Sequence, residues 1–496
     1  MNEYILLGNW EYKLTLDDKF STMAEENYSE DKKMFDDWLK MYEEIRSGKS
    51  SAFLDEDVFL DIIEYLDETQ SVKKAAEATE IALTYYPFSS SLLVKKADYQ
   101  ILDRKFDEAL ITLEHAEAFD NHDVNNTILK IDAYLGLQKE EDAFQEMENA
   151  LRKFEGEECV DMLLELTDVF DDYEIFEKVF DCLKLILDIE PNNEEALYKI
   201  CFWTDFTGRN EESITIHHKI IDAYPYNELA WFNLGAAYQG LKLYEKAVDA
   251  YKYAVAINEK FDYAYRNMGD AFMRLRKYKE AIDVLKKSLE LSRPESVIYE
   301  AIGYCYHKMN NGEHARYYYR KAVHLSPTES KLYYKIALTY MDEMQWQQAL
   351  KSIDTALTFN QTSYEYELVK GECLMNMEEY AEAIHVFGVV VKHRPKSMTG
   401  WAYLIRCLYY AEDYVSAAEQ SLNAYENTGD KPLFLFYHAF ALFATGDMED
   451  ALIYLESALH QSPRLFKKVL ELNPFILQNH RVVDLLTQFR KISKKQ

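Results

Sequence analysis

The sequence predicts an all-α chain, an α-solenoid of stacked helix–turn–helix units, and three observations carry that expectation. A seven-position apolar pattern recurs every 34 residues between Glu228 and Pro327. Counted at the same interval, units can be started at 56, 90, 124, 160, 194, 228, 262, 296, 330, 364, 398 and 432, with two extra residues near Gly156 to Cys159. The twentieth position of these twelve units is Ala in ten of them: Ala75, Ala109, Ala143, Ala247, Ala281, Ala315, Ala349, Ala383, Ala417 and Ala451, with Val179 and Ser213 as exceptions. Finally, nine Pro and fifteen Gly in 496 residues favour long helices over loop-rich β structure.

The pattern has a physical reading. Trp231, Leu234, Gly235 and Tyr238 open one unit, and Ala247, Tyr251 and Ala254 close it. The next units repeat this with Tyr265, Met268, Gly269, Phe272, Ala281, Leu285 and Ser288, then Tyr299, Ile302, Gly303, Tyr306, Ala315, Tyr319 and Ala322. Positions 4, 7, 8 and 11 share one helical face, and 20, 24 and 27 share a face on a second helix. Small residues at 8 and 20 let the two backbones approach closely. Six Pro stand at position 32 (Pro87, Pro191, Pro225, Pro327, Pro395 and Pro463), where a residue that cannot continue a helix sets the turn into the next unit. The pattern W/Y-x2-L-G-x2-Y…A-x3-F/Y-x2-A…P at this period resembles the tetratricopeptide repeat. The resemblance implies a right-handed superhelix of about twelve repeats.

Taken in order, residues 1–55 carry no repeat signature and read as an acidic N-terminal extension. Met34, Trp38, Met41 and Ile45 give it a helical stripe that could cap the first repeat. Residues 56–159 read as three divergent repeats and residues 160–463 as nine more. The first four units lack the Gly at position 8 and, except for Phe59, the aromatic at position 4. Residues 464–496 depart from the pattern. Leu465, Val469, Leu470 and Leu472 continue one helix, Pro474 stops it, and Val482, Val483, Leu485, Leu486 and Phe489 form a second apolar stripe, which suits a terminal cap. The unit from 432 presents Leu433, Phe436, Phe440 and Phe443; either the C-terminal helices cover this patch or it is a binding site.

Composition narrows the functions open to such an array. Hydrophobic content of 48% supports a large core. No apolar run reaches the roughly 18–20 residues of a membrane helix, and no secretory leader is apparent, so a cytoplasmic protein is expected. The six Cys show no CxxC or Cys/His spacing and read as buried reduced thiols. The net charge of −32 is uneven: residues 1–200 hold 50 acidic and 20 basic side chains, residues 201–496 hold 37 and 35. An acidic half repels nucleic acid and anionic membrane. It is either a solvated face or an attractor of a basic partner.

Motifs for chemistry are missing. There is no phosphate loop, nucleophile elbow, HExxH or kinase signature. His217 and His218 point about 100° apart on one helix, and His217 occupies a core position. Paired carboxylates such as Asp171–Asp172 and Glu140–Glu141 fall in loops or on solvent faces. No enzyme, cofactor or metal site is expected.

What remains is a surface. If positions 4, 7, 8 and 11 face the core, positions 2, 5, 9 and 12 form the adjacent stripe. In the family resembled, that stripe lines a concave groove that binds extended peptides. Here it reads Leu229, Phe232, Ala236 and Gln239; Tyr263, Arg266, Asp270 and Met273; Val297, Glu300, Tyr304 and His307; Lys331, Tyr334, Leu338 and Met341; and farther on Arg406 and Tyr409. Asn233 and Asn267 stand at position 6. The expected partner-binding residues are thus Phe232, Asn233, Tyr263, Arg266, Asn267, Asp270, Tyr304, His307, Tyr334, Arg406 and Tyr409. The alternative is that tight coiling buries these side chains against neighbouring repeats. A carboxylate clamp of the family is not completed: Tyr198 and Phe202, and then Phe232 and Ala236, occupy its Lys and Asn positions. The expected function is a non-catalytic scaffold binding a peptide segment of another protein. The alternative is an RNA-binding helical array, motivated by sixteen basic against ten acidic residues in 251–335. Helical content of roughly 70% is expected, far above the globular norm.

Overall fold

The computed structural model describes residues 27–49, 53–69 and 71–493. Helical content is 81% and the described residues contain no strand. Among the described residues, twelve helical pairs come after α1 (Asn27–Arg46). They are α2 (Glu56–Thr69) with α3 (Val72–Tyr85), α4 (Ser90–Leu102) with α5 (Phe106–Glu117), α6 (Val124–Gly136) with α7 (Glu140–Lys153), and α8 (Gly156–Asp172) with α9 (Phe176–Ile189). Next are α10 (Glu194–Thr207) with α11 (Asn210–Ala223), α12 (Glu228–Gly240) with α13 (Tyr244–Ile257), α14 (Asp262–Arg274) with α15 (Tyr278–Leu291), and α16 (Ser296–Lys308) with α17 (Gly312–Leu325). The last pairs are α18 (Ser330–Asp342) with α19 (Trp346–Phe359), α20 (Tyr364–Asn376) with α21 (Tyr380–His393), α22 (Met398–Tyr410) with α23 (Tyr414–Asn427), and α24 (Pro432–Thr445) with α25 (Met448–Gln461). Short turns, α26 (Phe466–Val469) and α27 (His480–Ser493) finish the chain. Every first helix begins where the 34-residue count starts a unit, except α8. That helix starts at Gly156 and, at 17 residues, absorbs the inserted ones.

The chain divides into two compact units, residues 1–271 and 272–496. In each, the same devices recur. The residue at position 15 of a repeat has positive φ: Arg104, Gln138, Glu174, Gly208 and Lys242 in the first unit, and Arg276, Asn310, Met344, Glu378, Glu412 and Gly446 in the second. The next amide donates back to position 11, as Lys105 N to Gln100 O at 2.7 Å and Asn311 N to Tyr306 O at 2.9 Å. This is a left-handed C-terminal cap that satisfies the carbonyls at the end of the first helix. Most of these residues are not Gly, so packing of the second helix against the first holds the turn, not local preference. The aromatic at position 4 has a second role besides burial. Trp231 Nε1 donates to the Pro225 carbonyl at 2.9 Å in the first unit, and Trp401 Nε1 to Pro395 O at 2.7 Å and Tyr333 OH to Pro327 O at 3.0 Å in the second. The ring and the Pro turn are therefore one linked feature of the repeat.

In the first unit, Ala75, Ala109, Ala143 and Ala247 are fully buried. Gly235 stands so close to the second helix that a Cβ would lie 2.6 Å from the Tyr251 ring. Helix α1 packs on α2 and α3, and the predicted stripe joins that packing from Trp38 onward. Met34 is 48% exposed, whereas Tyr42 is 2% exposed and Phe35, Trp38 and Leu39 pack against the same core. Trp38, Met41 and Ile45 of the stripe are partly buried against this core, so the packed face is wider than the predicted line and takes in Tyr42. Residues 1–26 and 50–52 of the extension lie outside the described residues.

In the second unit, Ala315, Ala349, Ala383, Ala417 and Ala451 are fully buried. A Cβ at Gly303 would meet the Tyr319 ring at 2.6 Å and one at Gly371 the Phe387 ring at 2.4 Å. The apolar patch of α24 is covered by the chain itself. Phe436 and Phe440 are wholly buried, with the Phe466 ring 6.1 and 6.2 Å from theirs.

Candidate functional site

In the first unit the predicted stripe is mostly interior. Phe232 is 3% exposed, between Phe261 at 4.9 Å and Tyr251 at 5.7 Å. Asn233 is 2% exposed and its Nδ2 donates to the Leu197 carbonyl at 2.7 Å, stitching α12 to α10. Asn267 is buried too. Arg266 is buried in an ion pair with Asp262 at 3.1 Å, its guanidinium 5.2 Å from the Tyr263 ring. Asp270, also buried, accepts from Gln239 Nε2 at 2.9 Å, and Gln239 Oε1 accepts from Tyr251 OH at 3.1 Å. Of these six residues only Tyr263 is exposed. For the other five, burial against neighbouring helices prevails, since each polar group finds a partner inside.

In the second unit Tyr304 and His307 lie on α16 and Tyr334 on α18, and all three are half-buried. Tyr304 meets Tyr278 edge-on at 6.4 Å and carries Lys308 Nζ 5.3 Å from its ring. His307 Nε2 lies 2.7 Å from Asp342 Oδ2. Tyr334 stacks on Tyr366 at 5.0 Å, and the Tyr366 hydroxyl is 3.2 Å from Ser330 Oγ. Arg406 and Tyr409 lie apart from this group. The Arg406 guanidinium is 5.8 Å from the Tyr403 ring, and Tyr409 is buried, its hydroxyl accepting from Asn473 Nδ2 at 2.9 Å. The C-terminal segment thus occupies the ground where Tyr409 would meet a ligand.

Four basic side chains of the second unit are engaged by rings or carboxylates of the chain. Lys321 Nζ lies over Tyr317, Tyr299 and Tyr318 at 4.8, 5.4 and 5.8 Å. Lys286 lies over Tyr306 and Tyr318, Arg316 pairs with Glu343 at 3.0 Å, and Lys335 pairs with Glu300. A phosphate backbone would have to displace these partners.

The cysteine thiols lie out of water. All six Cys are free and buried, and loss of water pushes the thiols of Cys305, Cys373 and Cys407 up to about 12. Among the described residues no group of three His, Cys, Asp or Glu is placed to hold a metal ion, and no helix is long and apolar enough to cross a membrane. His218 turns outward to Tyr238 OH at 3.0 Å, while His217 is wholly buried. Its Nδ1 donates to the Ser213 carbonyl at 2.7 Å and its Nε2 has no partner.

Burial drives the pKa of His217 from 6.5 down to about 4. Between those values the unfolded chain binds a proton that the native state does not. Stability is therefore intact above pH 6.5 and is lost as pH falls toward 4, by about 3 kcal/mol at full effect. His217→Leu is expected to shrink the fall in urea midpoint between pH 7 and pH 4.5. Equal falls in the two proteins would contradict this.

One further line of side chains includes two stripe positions, 5 and 9 of the unit from 194. Helix α10 carries Tyr198, Phe202 and Phe206 at four-residue spacing, and all three are exposed. The two positions that break the carboxylate clamp belong to this line. The spacing is visible in the sequence; the exposure is not.

Four matches to the tetratricopeptide-repeat family cover residues 229–261, 264–296, 297–329 and 368–432. No curated protein matches the chain in sequence. Among solved structures it is similar to YrrB, described as a TPR protein with an unusual peptide-binding site, at 17% identity over 37% of this chain and 95% of that one, TM-score 0.33. It is also similar to the APC/C hetero-tetramer Cut9–Hcn1, at 12% identity over 79% and 97%, TM-score 0.35. A third is the C-terminal part of a TPR repeat-containing protein from Cytophaga hutchinsonii, at 17% identity over 51% and 99%, TM-score 0.43. With four family matches in sequence and twelve helical pairs set out at the same interval, the chain is a tetratricopeptide-repeat protein.

Proposed function

We propose that this protein is a non-catalytic interaction scaffold, and that the first-helix stripe of α16 and α18 binds an extended segment of another protein. The observation that supports this most is the group Tyr304, His307 and Tyr334. Each side chain is half-buried and fixed by an internal neighbour, yet keeps a face toward solvent. Rings held this way lose little rotamer freedom on binding, which is what makes aromatic anchors effective at interfaces. Lys331, Leu338 and Met341 flank them with a cation and two adaptable apolar chains. Tyr263, at position 2 of its repeat, is an exposed stripe residue in the first unit. A peptide partner suits this surface better than RNA, because the nearby cations are already seated on rings or carboxylates.

The test is a pull-down with mass spectrometry from the source organism, comparing the full chain with Tyr304→Ala/Tyr334→Ala. Each truncation is expected to weaken a true partner about tenfold. Proteins captured by the parent should be lost by the variant while the far-UV circular dichroism stays unchanged. Capture of the same set by both proteins would defeat the reading.

A further inference from the structure

We infer that the first-helix stripe of α10 in the first unit, with Tyr198 and Phe202 at positions 5 and 9 and Phe206 one turn on, takes an arginine-bearing extended segment of a partner protein, an inference that rests on the reading of that stripe as the peptide-binding face. Tyr198, Phe202 and Phe206 are 37, 42 and 55% exposed along one line of the helix. They are not loose. Phe202 stacks on Phe206 with centroids 5.8 Å apart, and both rings abut Trp203, which is buried. Phe206 also meets Phe176, at the start of α9, edge-on at 4.7 Å. A rigid row of ring faces left in water is a costly surface unless something covers it.

The charge around it says what would. Residues 168–181 hold six carboxylates against one lysine, and residues 194–212 hold five against two basic groups. Lys199 reaches from α10 to Asp168 of α8 at 3.3 Å, and the Phe206–Phe176 contact fixes the other end of the line. Asp171, Asp172 and Glu174, all exposed, lie in the segment between these two contacts. Desolvation, together with the charges of Asp172 and Asp168, raises the Asp171 carboxyl, so negative charge is already crowded there. The local cations do not relieve it: Arg209 is shared by Glu212 at 2.6 Å and Asp181 at 2.7 Å, and Lys199 by Glu195 at 2.9 Å and Asp168. Flat ring faces beside excess carboxylates favour arginine, whose planar, weakly hydrated cation stacks on a ring while its N–H groups reach an acid. Lysine meets the charge but stacks less well.

The test uses the full chain and fluorescein-labelled peptides of about a dozen residues, a Gly/Ser backbone carrying about four arginines, lysines or neutral citrullines, read by anisotropy across a salt series. The arginine peptide is expected to bind about fivefold tighter than the lysine peptide, and the citrulline peptide not to bind. Phe202→Leu/Phe206→Leu keeps apolar bulk but removes the ring faces, and should abolish most of the arginine-over-lysine preference. Asp171→Asn/Asp172→Asn should weaken both cationic peptides about equally and flatten the salt dependence. Asp249→Asn/Glu259→Gln, which removes the same charge elsewhere in the unit, should stay within about twofold of the parent. Failure of the arginine peptide to bind would overturn the inference. So would equal binding of the arginine and lysine peptides that the leucine pair leaves untouched. Loss of self-association in the leucine pair, with no peptide effect, would instead assign the face to a second copy of the chain and overturn it as well. None of these outcomes depends on Tyr304 or Tyr334.

Discussion

Phe440→Ala is expected to destabilise the α24–α25 pair by about 3–5 kcal/mol, among the largest effects open to a single substitution in this chain. Phe440 is wholly buried, as are Phe434 and Phe436, and the Phe466 ring of the C-terminal segment lies 6.2 Å away. The cavity would open beneath that segment, so the cover and the pair should loosen together. Because a repeat array is stabilised by its units and their nearest interfaces, the loss should stay local. Hydrogen exchange in residues 432–461 should rise by two or more orders of magnitude, while amides of α2 to α5 keep their protection. A chain ending at residue 462 should show the same local loosening and bind a hydrophobic dye, since Phe436 and Phe440 would then face water. Unchanged exchange in Phe440→Ala would mean that the segment does not hold this end of the array.

Gly303→Leu is expected to cost about 3 kcal/mol. A Cβ at Gly303 would stand 2.6 Å from the Tyr319 ring and 3.2 Å from the Ala315 carbonyl oxygen. Tyr319 and Ala315 are wholly buried, so neither can step aside. The comparison that isolates the cause is Gly388, inside α21, where an added Cβ meets nothing within 4 Å. Gly388→Ala should stabilise by about 0.5–1 kcal/mol through helix propensity alone. Urea midpoints of the two variants should therefore move in opposite directions. If both rise, close helix approach at position 8 is not what selects Gly.

The repeats were legible because one geometric demand is imposed twelve times. Ala315 or Ala349 alone says little, but a small residue returning at a fixed interval reports two backbones in contact. The count failed only at α8, where a longer helix absorbed the insertion. On α1 the stripe held at Trp38, Met41 and Ile45 but not at Met34, and Tyr42, outside the line, is buried with it. The position-15 turn was not legible at all. Arg104, Gln138 and Met344 have no local preference for positive φ, and the turn exists because the second helix must fold back on the first.

The sequence by itself determined the helical pairs, their interval and their core, because periodicity and residue size act through neighbours only a turn or a repeat away. Only the tertiary structure decided which groove-stripe residues meet water. Phe232 and Asn233 were drawn inward by contacts with neighbouring segments, Arg266 was buried beside Asp262 of its own helix, Tyr409 was covered by Asn473, Tyr304 and Tyr334 were left half in water, and Tyr263 was left outside. The physical reason is that exposure depends on how adjacent helices stack, which residue spacing within one helix does not encode.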